Sequence, residues 1–292
     1  MRVILIHGRD QQGKSSDSLL EIWKEALDVG LSEAGLGSLR DHDFRLPFYG
    51  DRLVEIVEQI RLATPNGVTT KGEAPALTHM EAFQVALLQE LIPEEQLLSS
   101  PTAPVEKGFQ NTAVAHLLAK VADGSPWSKD FLALFTEDVS VYLNNGFASA
   151  QINDIVRREI PSEPCVVVGH SLGSVVAYRV LQEMGRSANV VRFITLGSPL
   201  GLNAIRNVLR PLSVPKGVQS WLNVYDSRDI VSLHPLDKAR WDVIPNIENV
   251  ALDKNHMSNR HGISGYLDYP EVARAISQAL VGDSSNERSA QR

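Results

Sequence analysis

Short apolar runs alternate along this chain with longer segments in which apolar residues recur at helical spacing. Residues 3–6 and 165–168 are uninterrupted apolar runs, which predict parallel strands buried on both faces of a sheet. Further strands are predicted at residues 43–48, 190–196, 220–225 and 247–252. Amphipathic helices are predicted at residues 18–31, 174–185, 203–209 and 267–280. This alternation predicts an α/β protein with a doubly wound, mostly parallel sheet.

The segment of about residues 51–150 departs from this alternation because it contains no convincing strand. Its apolar spacing predicts helices at residues 53–62, 76–92, 112–121 and 129–143, and a fifth helix at 148–160 leads back to the sheet. A crossover between parallel strands needs little more than one helix. The surplus predicts an inserted helical segment within a sheet domain of residues 1–281. Residues 282–292 are polar and predict a solvated tail.

Composition narrows the class of protein. Of the 292 residues, 43% are hydrophobic and 22% are charged, which is ordinary for a globular protein with a sizeable core. The formal net charge of −7 argues against nucleic acid as a partner and against an electrostatic hold on anionic membranes. The single cysteine, Cys165, excludes an intramolecular disulfide, and its place in a predicted buried strand indicates a small core residue rather than a nucleophile.

Export and membrane signals are also weak in the sequence. The apolar run at residues 3–6 is too short for a secretory signal. No stretch approaches the ~20 apolar residues of a transmembrane helix. We therefore expect a cytoplasmic protein without integral membrane association.

The most informative motif joins a predicted buried strand to a predicted helix. Gly169-His170-Ser171-Leu172-Gly173 has the form G-x-S-x-G and stands directly at this junction. In such a sharp turn, side chains at the two glycine positions would collide with the neighbouring strand or helix. The turn would present the Ser171 hydroxyl as a nucleophile, and the Leu172 N–H at the helix N-terminus could stabilise an oxyanion.

This motif after a valine-rich strand resembles the nucleophile elbow of the α/β-hydrolase superfamily, particularly its lipase and esterase branches. The resemblance implies a minimal α/β-hydrolase fold in which the helical insertion, about residues 51–150, forms a cap that walls an acyl pocket. It further implies a serine hydrolase of carboxylic (acyl) esters that uses a Ser-Asp-His triad. The substrate would be a small-molecule acyl ester or a lipid-like molecule, and no cofactor is implied.

The same resemblance implies a role for the segment after the first predicted strand, which begins His7-Gly8-Arg9. In the superfamily, an HG pair at this position commonly forms half of the oxyanion hole through a backbone N–H just past the glycine. That role falls here on the backbone N–H of Arg9, and Gly8 permits the turn. For His7 we expect a structural or loop-ordering role.

In this superfamily the acid follows the serine, and the histidine follows the acid. Asp226 and Asp229 both lie just past the strand predicted at residues 220–225. The run Asp229-Ile230-Val231 resembles the D-P-V segment that carries the acid in several lipase-like hydrolases, although the proline is absent. We therefore favour Asp229 as the acid and interpret Asp226, the alternative, as a turn-forming residue.

Three histidines follow Asp229. His234 is so close in sequence that it would have to come from the same loop as the acid. The family's histidine comes instead from the loop before the last helix, which leaves His256 and His261. The segment 261–267 resembles the H-x-x-x-x-Y-L lead-in to the closing helix of related hydrolases. We therefore favour His261, with His256 as the alternative.

Two other classes of function compete with a hydrolase. Residues 8–15 satisfy the P-loop pattern G-x-x-x-x-G-K-[ST] after a strand, which would indicate nucleotide binding. A P-loop protein also needs an acidic residue at the end of a second apolar strand, and no predicted strand supplies one clearly. A non-catalytic α/β-hydrolase-fold binding protein is the other alternative. No metal-ligating motif of the C-x-x-C or H-E-x-x-H type is present, so we expect no metal.

Overall fold

A computed structural model describes residues 1–9, 11–63, 78–92, 110–123, 128–253, 255, 257 and 259–290. Within these ranges six strands form a single sheet in the order β2-β1-β3-β4-β5-β6, and every neighbouring pair is parallel. The strands are β1 (Arg2–Ile6), β2 (Asp43–Arg45), β3 (Cys165–His170), β4 (Val190–Leu196), β5 (Trp221–Tyr225) and β6 (Glu248–Ala251). The predicted α/β class and the six predicted strands are confirmed, and the sheet is wholly parallel.

Ten α-helices lie in the described ranges. They are α1 (Ser16–Glu33), α2 (Gly50–Ala63), α3 (His79–Leu91), α4 (Gln110–Asp123), α5 (Lys129–Asn144), α6 (Gly146–Arg157), α7 (Leu172–Met184), α8 (Asn203–Leu209), α9 (Ser264–Leu267) and α10 (Pro270–Ala290). None of these described helices is both long and apolar enough to cross a membrane.

The end of the chain differs from its prediction. The helix predicted at residues 267–280 is divided, because α9 ends at Leu267 and α10 begins at Pro270. Proline disfavours helical backbone at the residue before it but is well suited to the first helical position. Helix α10 then continues to Ala290, through residues predicted as a solvated tail. Those residues carry no apolar periodicity, so the pattern contained no signal for the longer helix.

Side chains on both faces of the sheet are buried, which explains the uninterrupted apolar runs. Val3, Leu5, Val166 and Val168 belong to one core cluster with the buried residues of α1 and α10. Because side chains alternate along a strand, the intervening residues face the opposite side. Helix α7 packs against β3 and β1, and its buried residues lie outside that cluster. The sheet is thus flanked by helices.

The chain divides into two compact units. The first comprises Met1–Asp51, Gln151–Gly201 and Leu209–Arg292 and contains the sheet. The second comprises Arg52–Ala150 and Leu202–Val208, and its described residues are mainly helical. The role of this helical unit as a cap stays a prediction.

Helix α8 belongs largely to the helical unit, although the sequence pattern placed it within the sheet domain. The Glu90 carboxylate accepts hydrogen bonds from the backbone N–H groups of Asn203 at 2.6 Å and Ala204 at 3.2 Å. A carboxylate at a helix N-terminus is favourable because the first N–H groups lack partners within the helix. The two partners are more than a hundred residues apart, so no local pattern could indicate this contact.

Candidate active site

The strand order reverses direction between β1 and β3. After β1 the chain continues to β2 on one side, and after β3 it continues to β4 on the other. In open parallel sheets, ligands bind outside the carboxyl ends of the strands at such a reversal. The loop after β1 and Ser171 meet at this point, since a Cβ atom added to Gly8 would lie only 2.7 Å from the Ser171 Cβ.

Ser171 has an unusual backbone conformation. It is the one non-glycine residue with positive φ in the described part of the chain, with φ 54° and ψ −130°. Such backbone strain costs about 1–3 kcal/mol and persists only where neighbouring contacts enforce it. The Ser171 N–H donates to the Leu196 carbonyl at 3.0 Å, and the Ser171 carbonyl accepts from the N–H of Ser174 at 3.0 Å and from its Oγ at 2.6 Å. The Ser174 hydroxyl is in turn 2.7 Å from that of Ser198.

The glycines on either side of Ser171 are required by close backbone contacts. A Cβ at Gly173 would lie 2.2 Å from the carbonyl oxygen of Ile6 and 2.3 Å from that of His7. A Cβ at Gly169 would lie 2.7 Å from the Ser174 Cα. Neither backbone can accommodate a larger residue without moving the turn that carries Ser171.

A continuous hydrogen-bond chain joins the favoured residues from three separate parts of the sequence. The Ser171 Oγ lies 2.7 Å from Nε2 of His261, and Nδ1 of His261 lies 2.7 Å from Oδ2 of Asp229. An ionised carboxylate only accepts, so Nδ1 carries the proton and Nε2 is free to accept from the serine hydroxyl. All three side chains are buried. This arrangement can remove a proton from a serine hydroxyl.

The Asp229 carboxylate has further donors. It accepts hydrogen bonds from the Val231 N–H at 3.0 Å, the Ser232 hydroxyl at 3.2 Å and the Tyr266 hydroxyl at 2.8 Å. Burial by itself would raise the pKa of Asp229, but the charge and hydrogen bond of His261, with the other donors, lower it below its ordinary value. The carboxylate is therefore ionised and fixed in orientation.

Sequence reasoning missed the roles of Tyr266 and Ser232. Tyr266 was noted only as part of the segment that leads into the closing helix, and its distance from Asp229 in sequence conceals the contact. Burial and the charge of Asp229 raise the pKa of Tyr266 well above its ordinary value, so the phenol remains a donor. Ser232 could have been found, because hydroxyl residues a few positions from a turn carboxylate commonly bond to it or to the nearby backbone.

Asp226, the alternative acid, has hydrogen-bond partners of its own. Asp226 is buried, but its carboxylate accepts from the Arg228 N–H at 2.9 Å and from the Arg260 guanidinium at 3.4 Å. The bond to a backbone N–H two residues on is that of an Asp-centred turn. His234 contacts Arg240 through Nδ1 at 3.3 Å. His256, the alternative base, lies outside the described residues.

The loop after β1 is ordered by His7. Nδ1 of His7 lies 2.6 Å from the Gly8 carbonyl oxygen, so it donates, and Nε2 accepts from the Tyr49 N–H at 3.1 Å. The Tyr49 ring stacks on the imidazole with a centroid separation of 4.1 Å. The Arg9 carbonyl oxygen accepts from the Gln11 side chain at 2.8 Å. These bonds fix the backbone of the segment expected to supply one oxyanion donor.

The second expected donor is the N–H of Leu172. Leu172 is the first residue of α7, and the first N–H groups of a helix have no partner within it. The positive end of the helix dipole lies at the same place and favours negative charge there. The N–H of Leu172, the residue that follows Ser171 in the chain, is therefore expected to remain available as a donor.

Other groups in the described part of the chain offer little for metal or thiol chemistry. No group of three or more His, Cys, Asp or Glu side chains among the described residues is placed to hold a metal ion. Cys165 is buried at the start of β3, and burial raises the pKa of its thiol to about 12. It is therefore a core residue that stays protonated.

The buried histidines should make the protein unstable in acid. Burial lowers the pKa of His7 to about 4, and burial with a smaller effect from the charge of His261 lowers that of His170 to about 3. In the unfolded chain both pKa values return to about 6.5, so the unfolded state binds more protons below that pH. The free energy of unfolding should therefore fall between pH 6.5 and pH 4, by up to about 3 kcal/mol for each histidine.

Urea unfolding at a series of pH values measures this dependence. His170→Gln removes one of these two buried histidines. The variant should therefore take up as much as one proton fewer on unfolding, and its free energy of unfolding should depend less steeply on pH. Identical slopes in the wild type and in His170→Gln would contradict this origin of the acid sensitivity.

Among known proteins, no family model matches the chain, and no curated protein matches it.

Proposed function

We propose that this protein is a serine hydrolase that cleaves carboxylic esters through an acyl-enzyme, with an esterase- or lipase-like activity. The observation that carries the proposal is the unbroken chain from the Ser171 hydroxyl through His261 to Asp229, with both distances at 2.7 Å. The strained conformation of Ser171 and its place at the reversal of strand order give independent support.

In the proposed mechanism, Ser171 Oγ attacks the acyl carbonyl carbon while its proton passes to Nε2 of His261. Asp229 orients the imidazole and stabilises the imidazolium. The N–H groups of Leu172 and Arg9 donate to the developing oxyanion. The alcohol leaves with the proton from His261, and the acyl group remains on Ser171. Water then repeats the sequence, with His261 accepting its proton and returning it to Ser171 Oγ as the acid is released.

The proposal includes an α/β-hydrolase type of fold. Its supports are the parallel sheet and the order in which serine, acid and histidine follow β3, β5 and β6. The cap is the finer part of this proposal, supported by the compact helical unit, most of which lies between β2 and β3 in the sequence.

Labelling with a fluorophosphonate probe tests the proposal. A serine activated by a neighbouring base reacts covalently with such probes, so one adduct should form, and peptide mapping should place it on Ser171. A non-catalytic protein of the same fold would give no adduct and no ester hydrolysis. An adduct at another residue would contradict the assignment of Ser171.

Gly8→Ala should damage turnover through a steric effect. The added Cβ would lie 2.7 Å from the Ser171 Cβ and 3.2 Å from its Oγ, so either the loop or the serine must move. A displacement near 1 Å at reacting groups lowers turnover roughly 100-fold. Steady-state hydrolysis of a p-nitrophenyl ester measures the effect. In the matched control Gly37→Ala the added Cβ has no neighbour within 4 Å, and turnover should be unchanged.

The P-loop alternative finds little support in the loop between β1 and α1. The Gly13 N–H donates to the Asp51 carboxylate at 2.8 Å, so a phosphate at this amide would face negative charge. The Ser15 hydroxyl accepts from the Ser18 N–H at 3.1 Å as the cap of α1. Lys14 bonds the Gln11 side chain at 3.1 Å. Each of these three groups would have to face phosphate or Mg²⁺ in a P-loop.

Calorimetry with ATP or GTP and Mg²⁺ should accordingly show no binding. Lys14→Ala should hydrolyse esters at nearly the wild-type rate, because the Gln11 amide nitrogen can still bond the Arg9 carbonyl when the Lys14 amine no longer bonds the Gln11 oxygen. Micromolar nucleotide affinity that Lys14→Ala removes would instead establish a nucleotide site.

A further inference from the structure

A second hydrogen bond joins the end of β3 to the loop that carries His261. Nε2 of His170 lies 2.9 Å from the backbone carbonyl oxygen of His261. Because a carbonyl oxygen only accepts, His170 donates from Nε2. His170 directly precedes Ser171, so the two residues beside each other in the turn both bond to His261, one at its backbone and one at its ring.

The His170 ring is enclosed in one orientation. Its ring centroid lies 4.9 Å from that of His261, 6.0 Å from that of Tyr266 and 6.2 Å from that of Trp23, whose ring is nearly perpendicular to it. A Cβ added to Gly197 would approach Nε2 of His170 to 3.3 Å, so this glycine leaves room for the ring. The donor is thus fixed by packing as well as by its hydrogen bond.

The two bonds to His261 behave differently during the proposed reaction. When Ser171 carries the acyl group, its Oγ has no proton to donate, and the bond to Nε2 of His261 is lost. The bond from His170 to the His261 backbone does not involve the reacting atoms. In the acyl-enzyme, His261 is therefore held at its ring by Asp229 and at its backbone by two residues, because His170 donates to its carbonyl and its N–H donates to the Asn259 side chain at 3.1 Å.

We propose that His170 is a positioning residue that keeps His261 in place while Ser171 is acylated, so that water can be activated. In that step the water oxygen bonds to the acyl carbon as its proton passes to Nε2 of His261. The bond between Ser171 Oγ and the acyl carbon then breaks, and Oγ takes the proton. The inference rests on the proposed hydrolase function.

His170 suits this role because it stays uncharged. Burial, together with the charge of His261, lowers the pKa of His170 to about 3, so the ring is neutral at ordinary pH. A neutral donor adds no second positive charge beside His261 when that ring is protonated during each half-reaction. A lysine or arginine donor at this position would oppose that protonation.

Two substitutions of His170 distinguish the effect of its hydrogen bond from the effect of its ring packing. His170→Phe keeps an aromatic ring but removes the donor, whereas His170→Gln carries an amide N–H that reaches about as far as Nε2. With a p-nitrophenyl ester in stopped flow, His170→Phe should release the first nitrophenol nearly as fast as the wild type. Deacylation should be slower by roughly 10- to 100-fold, since the buried carbonyl is left without its donor. Both kcat and KM should then fall together, with kcat/KM little changed, and His170→Gln should restore much of kcat.

A matched control accounts for lost stability. Leu280→Ala removes a buried side chain of α10 in the core formed with α1, so it should lower the melting temperature without changing the ratio of acylation to deacylation. If His170→Phe slows both steps equally, or slows neither, the proposed role in deacylation is wrong.

A spectroscopic measurement separates this inference from the hydrolase proposal. The proton on His261 Nδ1, a nitrogen that lies 2.7 Å from Asp229 Oδ2, should give a low-field proton resonance whether or not the protein turns over esters. The resonance should broaden or disappear in His170→Phe and return in His170→Gln. If the wild type does not react with fluorophosphonate, the hydrolase proposal fails, and an unchanged resonance in His170→Phe overturns the positioning role independently.

Discussion

Ser171→Ala is expected to lower ester turnover by roughly 10⁶-fold and to abolish fluorophosphonate labelling. Removing the nucleophile of a serine triad has an effect of this size because the remaining groups act as a unit with it. The fold should survive, since the backbone bonds of Ser171 to Leu196 and Ser174 do not use the hydroxyl. Alanine is also smaller than serine, so it fits the same turn.

The measurement is steady-state hydrolysis of a p-nitrophenyl ester, with circular dichroism to check the fold. Ser187→Ala is the matched control, because Ser187 is an exposed serine in the 3₁₀ turn Gly185–Ser187. That variant should retain wild-type turnover. If Ser171→Ala keeps turnover within tenfold of the wild type, the serine-hydrolase proposal fails.

The second large effect is expected for the base and the acid. His261→Ala should approach the effect of losing the serine, and Asp229→Asn should lower kcat roughly 10⁴-fold, because an amide at this position favours the wrong tautomer of the histidine. In Asp229→Asn the amide nitrogen at the Oδ2 position would donate to His261 Nδ1, and the amide oxygen at the Oδ1 position would still accept from the Val231 N–H. The Tyr266 and Ser232 hydroxyls, which also contact Oδ2, can accept a hydrogen bond as well as donate one. The loss should therefore appear in kcat more than in stability.

Asp226→Asn is the matched control for the acid. Its carboxylate lies with Arg228 and Arg260, so the variant should lose some stability and little activity. His256→Ala tests the alternative base and should be much less harmful than His261→Ala. If His256→Ala lowers turnover more than His261→Ala does, the base is misassigned, and the result leaves the serine mechanism itself intact.

Much of the fold was predictable because burial leaves a periodic pattern in the sequence. The apolar run in β3 indicated a strand with both faces covered, and the spacing in α7 indicated the helix that follows. Helix α8 was placed at the correct residues, but its membership in the helical unit, where it bonds to Glu90, was not predictable from neighbouring residues. The C-terminal part of α10 was not predicted, because the apolar periodicity ends before it.

The candidate site likewise has one part that the sequence predicted and another that it did not. The turn around Ser171 was predicted because its glycines, strand and helix are contiguous, and the structure supplies the close contacts that demand those glycines. For Asp229 and His261 the sequence offered only candidates, ranked by resemblance. The choice between Asp226 and Asp229 depends on which carboxylate faces His261, and these two aspartates are only three residues apart.

The sequence by itself determined the α/β class, the six strands, most helices of the sheet domain and the strand-to-helix turn at Ser171, because each depends on residues adjacent in the chain. Only the tertiary structure decided which partners meet. Ser171 is 90 residues from His261, and His261 is 32 residues from Asp229. The residues in the contacts of Tyr266 with Asp229 and of His170 with the His261 backbone are likewise far apart in the sequence. They form because the carboxyl ends of parallel strands lie along one edge of the sheet, where loops remote in sequence converge.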